Sequence, residues 1–134
     1  MRFYQTKLLD SKASAKTYCE ALINSSKPEQ KTFAYTSLGY LFSKEANYKG
    51  ADSLFRLANI ELEKINNLKV RQTEKMYVLD GKSVRYLDSQ NIESAFALIE
   101  EGKQLAQKLQ HTKMTIRFNL KNSSTLCVGV KRKV

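Results

Sequence analysis

A single proline, Pro28, and only five glycines leave few places where a helix is forced to break, so long uninterrupted helices are expected. Tryptophan is missing, and seven Tyr and six Phe supply the large rings of a core instead. No stretch approaches the roughly 18 apolar residues of a membrane span. The first residues, Met1 to Lys7, lack the apolar run of a secretory signal, so a cytoplasmic location is expected. Cys19 and Cys127 stand far apart, without metal-ligand spacing, and read as reduced packing residues. His111 is the only histidine, which excludes a metal site built on a histidine pair. It follows a helical stretch and is expected to cap that helix's C-terminus. No phosphate-binding loop occurs, since Tyr48-Lys49-Gly50-Ala51-Asp52-Ser53 lacks the required glycine and lysine spacing. Glu61, Glu63, Glu100 and Glu101 lie among lysines on helix faces and read as solvated charge. No enzyme activity and no cofactor are expected.

Acidic residues also run out along the chain. From Gly102 onward the charged residues are Lys103, Lys108, Lys113, Arg117, Lys121, Lys131, Arg132 and Lys133, eight cations within a formal net charge of +10. Such an end attracts phosphate or an acidic protein surface, or it serves as a solvated surface and nothing more. Arg117, Lys121, Lys131, Arg132 and Lys133 are the candidate anion-binding residues.

The length, 134 residues, suits one domain with one modest core. Hydrophobic periodicity places helices over about 11–25, 29–46, 48–65, 71–87 and 92–110. Pro28 and Glu29 suit the start of the second, and Asn66-Asn67 ends the third. Beyond residue 112 the period changes. Met114, Ile116, Phe118 and Leu120 alternate with Thr115, Arg117, Asn119 and Lys121, and Leu126, Val128 and Val130 alternate after Asn122-Ser123-Ser124. This pattern predicts a basic β-hairpin over 112–134, docked as a cap on the last helices or pairing its edge with a second copy.

Self-comparison adds a repeat. The chain reads Tyr35-x2-Leu38-Gly39-x2-Phe42, then Tyr48, then Ala51-x3-Phe55-x2-Ala58. Over 32–65 this resembles the tetratricopeptide repeat, with Tyr35 for the usual Trp, Ala46 for the turn Gly and Glu63 for the terminal Pro. A weaker copy follows at about 74–110. Tyr77, Gly81 and Val84 take the first-helix positions, and Ala95-x3-Ile99-x2-Gly102 the second-helix spacing. Asp80 stands where Leu is expected. Gly81 to Ala95 is two residues longer than Gly39 to Ala51, an insertion expected in the turn. Ala15-x3-Cys19-x2-Leu22 repeats the second-helix spacing upstream.

The expected fold is therefore mainly α: a tetratricopeptide-like array of about five helices over 11–110, followed by the hairpin. The resemblance implies a concave face lined by first helices that holds a peptide or partner helix. Carried over position by position, its groove residues are Phe33, Thr36, Tyr40, Ser43 and Lys44, then Lys75, Val78, Lys82 and Arg85. Thr36 and Tyr40 replace the Lys and Asn of the chaperone-type carboxylate clamp, so that ligand is not expected. An aromatic patch beside a basic one suits a partner with acidic and apolar residues. The implied function is a non-enzymatic protein-binding module. Two alternatives stand beside it: nucleic-acid or anionic-surface binding by the basic tail, and a self-associating piece of a larger repeat protein, with a homodimer as one form.

Overall fold

The computed structural model describes residues 12–133, with side chains for 14–123. Six helices follow one another among these residues: α1 (Lys12–Leu22), α2 (Pro28–Lys44), α3 (Tyr48–Leu62), α4 (Leu68–Asp88), α5 (Ile92–Lys108) and α6 (Thr112–Lys133). Pro28 opens α2 at a position where its missing N–H costs nothing, with Glu29 in the same turn. Asparagine side chains start the next three: Asn47 accepts from Gly50 N–H at 3.0 Å, Asn67 from Val70 at 3.1 Å and Asn91 from Ser94 at 3.3 Å.

One turn is used three times. Ala46, Gln90 and Gln110 have positive φ, 60°, 63° and 56°. The residue after each donates its N–H back into the preceding helix: Asn47 to Phe42 O at 2.8 Å, Asn91 to Tyr86 O at 2.8 Å and His111 to Ala106 O at 2.9 Å. This closes the last carbonyls of one helix, and the same donor residue then caps the next helix. His111 does so with its ring, Nδ1 accepting from Met114 N–H at 3.3 Å. Its ring therefore belongs to the start of α6 rather than to the end of α5.

Tight turns between contacting helices make α2–α3, α4–α5 and α5–α6 antiparallel pairs, and α2 also packs on α1 and α4. Ala15 and Cys19 of α1 meet Ala34, Leu38 and Leu41 of α2 in one cluster. Met76, Ala95, Ile99, Ala106, Met114 and Phe118 form a second cluster across α4, α5 and α6. Phe55 of α3 fills the space between α2 and α4. A Cβ at Gly39 would lie 2.9 Å from its ring, and one at Gly81 3.0 Å from it. Gly39 thus makes room for Phe55, and replacing it with Leu is expected to cost about 1–3 kcal/mol through overpacking. A urea melt of Gly39→Leu matching the parent would contradict this packing.

The weaker copy is longer in a different place from the one expected. Measured from the turns, Ala46 matches Gln90, Asn47 matches Asn91 and Ala51 matches Ala95, at the 44-residue spacing that also separates the paired Lys44 and Asp88. The turns are equal in length, so the two extra residues lie within α4. Ser83, not Gly81, is the structural counterpart of Gly39.

No strand occurs among the described residues, and 112–133, expected as a β-hairpin, are the helix α6. Met114 and Phe118 are buried while Ile116 and Leu120 are 54% and 65% exposed. The alternation held two residues of a helical face, at i and i+4, and two outside it. A Cβ on Gly102 of α5 would lie 2.4 Å from the Phe118 ring, so that glycine admits α6. Leu126, Val128 and Val130 lie outside the described side chains.

Candidate functional site

The residues expected to line one groove fall on two sides. On α2, Phe33 and Tyr40 are half-buried against the α1–α2 cluster. Thr36 is buried, its hydroxyl donating to Thr32 O at 2.7 Å, and Ser43 likewise donates to Gly39 O at 3.0 Å. Neither hydroxyl faces a ligand. Lys44 stays exposed, 5.6 Å from the Tyr40 ring centroid and 3.3 Å from Asp88 Oδ2 at the end of α4.

Lys82 and Arg85 instead turn toward α3. Lys82 shares a shallow depression with Asp52, Phe55 and Asn59. Arg85 grips Asp52 with both arms, Nε to Oδ1 at 2.7 Å and Nη2 to Oδ2 at 2.9 Å, and donates to Ser89 Oγ at 2.8 Å. Its guanidinium lies 5.0 Å from the Tyr48 ring centroid and 4.7 Å from that of Tyr86. The hydrogen bonds to Asp52 raise its pKa further, so it is a charged strut between α3 and α4. Of the other two expected on α4, Val78 is buried and Lys75 pairs with Glu101 at 3.5 Å. The two-residue difference in register explains this: counted from the turns, Tyr77, Asp80, Val84, Leu87 and Asp88 match Phe33, Thr36, Tyr40, Ser43 and Lys44.

Asp80 is fully buried, and α6 supplies its partners. Arg117 Nε donates to its Oδ1 at 2.8 Å. The ammonium of Lys121 donates to the same Oδ1, to Asp80 O at 3.2 Å and to Ser83 Oγ at 3.2 Å. Ser83 Oγ in turn donates to Asp80 O at 2.7 Å. The three N–H groups of the lysine thus meet three acceptors. Burial by itself would raise the Asp80 pKa, but Lys121 and Arg117 reverse this and hold the carboxyl below its ordinary range. Burial lowers Lys121 to about 8, against the pull of Asp80 and with added repulsion from Arg117. The two shifts are consistent. One carboxylate between two cations needs its charge, whereas the second cation is in surplus.

A pH dependence follows. The folded-state value of Lys121, about 8, lies below its ordinary 10.5, so across that window the unfolded chain holds a proton the folded chain has released. Stability from this group therefore rises with pH, by roughly 1 kcal/mol between pH 8 and 9. The buried Cys19 thiol acts oppositely, its raised pKa counting against folding as pH approaches and passes its ordinary 9.0, which offsets part of the rise. Urea unfolding at pH 8 and 9 should show the rise in the parent and lose it in Lys121→Met. An equal slope in both would remove Lys121 as its source.

Arg117 and Lys121, two expected anion-binding residues, are therefore tied to Asp80, while the side chains of Lys131, Arg132 and Lys133 lie outside those described. Among the described residues no group of His, Cys, Asp or Glu is placed to hold a metal ion, and no helix is long and apolar enough to cross a membrane. Neither family models, nor curated proteins, nor solved structures yield a match to this chain.

The buried cluster was missed in the sequence, although both halves of its signal were there. Asp80 interrupts an apolar position, and Arg117 and Lys121 stand four apart, as on one helix face.

Proposed function

We propose that this chain is a tetratricopeptide-like helical-hairpin module that binds another protein along the face shared by its first helices, α2 and α4, without a catalytic step. The observation that carries this reading is the paired architecture: α2–α3 and α4–α5 are closed by the same turn 44 residues apart, and α2 packs directly on α4. Side-by-side helices of this kind present a continuous ridged surface on which an extended segment or a helix can lie. The ligand-facing candidates after the register correction are Tyr40, Lys44 and Asp88. Arg85 drops out as a strut to Asp52, and Lys82 lies in the depression beside α3. A net charge of +10 favours an acidic partner. A cytoplasmic setting accords with Cys19, which is buried and free.

The test is a nuclear magnetic resonance titration with two probes, a pool of peptides rich in Asp, Glu and Leu and a dT20 oligonucleotide, at 50 and 150 mM salt. Peptides should shift Tyr40, Lys44 and Asp88, and Tyr40→Ala with Lys44→Ala should weaken them at least tenfold. The six cations beyond Gly102 that are not tied to Asp80 favour the second reading, binding of nucleic acid by the tail. Oligonucleotide binding alone, falling steeply with salt and lost with Lys131, Arg132 and Lys133 changed to Ala, would replace the first reading with the second.

A further inference from the structure

The face of α4 and α5 that α6 covers is a helix-binding site with a defined ligand pattern. Its apolar floor is Ile99, Gly102 and Ala106, and its polar wall is Asp80 with Ser83. It receives a helix with large apolar residues at i and i+4, Met114 and Phe118, and cations at i+3 and i+7, Arg117 and Lys121. α6 reaches it only through the turn at Gln110–His111.

That turn is not enforced by the sequence. No Gly or Pro occurs from Lys103 to Lys121, so α5 could run straight into α6. Gln110 is held at φ 56°, a left-handed conformation that disfavours a residue with a Cβ. The closed turn is held by the His111 cap on Met114 and by a Tyr77 Oη to His111 Nε2 contact of 3.3 Å. The other two turns of this type have a stacked hairpin beyond them. Beyond this one the described residues form a single helix, α6, packed on α5 and tied to α4 through Asp80.

We propose that this site takes a second occupant, the α6 of another copy of the chain, through exchange about Gln110–His111, with α5 and α6 straightened into one helix. Every contact of the closed form away from the hinge is then remade between chains, so the exchange costs little besides association. The strain at Gln110 is relieved in both copies. The exchange is independent of what lies on the α2–α4 face.

Glu100 Oε1 of α5 accepts from Asn122 Nδ2 of α6 at 2.7 Å, a pair outside the Asp80 cluster that reports which chain supplies α6. In a Cys19→Ala, Cys127→Ala background, Glu100→Cys and Asn122→Cys are made in separate chains, mixed at high concentration and oxidised. The expected product is a disulfide-linked heterodimer. By size-exclusion chromatography, Gln110→Gly should weaken the dimer roughly thirtyfold or more, since two strained hinges per dimer are relieved in the monomer instead. Gln110→Ala with His111→Ala, which loses the cap and favours continuous helix, should strengthen it. A dimer without the cross-link, a dimer indifferent to the hinge changes, or a parent and double-alanine variant that both stay monomeric at millimolar concentration would overturn the proposal.

Discussion

Asp80→Ala is expected to lower stability by about 3–5 kcal/mol, because it leaves Arg117 and Lys121 facing each other with no buried anion between them. Lys121 is the more affected cation, since its side chain is only 13% exposed. The complementary change should behave differently. Lys121→Met removes the surplus cation and keeps the stem's packing, while Arg117 still pairs with Asp80 at 2.8 Å. It should fall within about 1 kcal/mol of the parent, on either side. The double change should recover much of the loss caused by Asp80→Ala, a coupling that a double-mutant cycle in urea reads directly. Equal costs for the two single changes, adding without coupling, would show that the three charges do not act as one cluster. α6 should also be the first element to exchange its amides in Asp80→Ala, since that substitution removes the carboxylate that ties both of its cations to α4.

The helices were largely legible because their signals are local. The expected spans 29–46, 48–65 and 92–110 end within three residues of α2, α3 and α5, and Pro28 with Glu29 marks the start of α2. Gly39, a small position of the repeat signature, does mark a close approach, to the ring of Phe55. What failed was register and pairing. Glycine matching aligned Gly81 with Gly39, whereas Gly81 serves the same Phe55 from the next helix, and the true match from the turn is Ser83. That slip of two residues rotates α4 by more than half a turn. It is why Lys82 and Arg85 were placed in a groove but stand against α3. Asp80 looked like a defect in a repeat because its partners lie 37 and 41 residues further along, beyond the reach of any local pattern.

The C-terminal segment offers the sharpest test, because strand and helix make opposite statements about the same four residues. A strand over 114–120 would bury Met114, Ile116, Phe118 and Leu120 together, and each change to Ala would cost a comparable amount. Of these four, only Met114 and Phe118 face α5 on α6, and Phe118 is fully buried beneath Gly102. Phe118→Ala should therefore cost about 3–5 kcal/mol and Met114→Ala about 2–5 kcal/mol. Ile116→Ala and Leu120→Ala, at 54% and 65% exposure, should stay within about 0.5 kcal/mol of the parent. Gly102→Ala adds a methyl 2.4 Å from the Phe118 ring. It should be destabilising alone but milder in Phe118→Leu, where the smaller side chain lets the helices keep their distance. Thermal melts of these seven variants, the Gly102→Ala, Phe118→Leu double included and all measured on the full chain, decide the matter. Similar losses at all four apolar positions would restore the strand, whereas a loss confined to 114 and 118 and relieved at Gly102 by the smaller residue fixes α6 as a helix against α5.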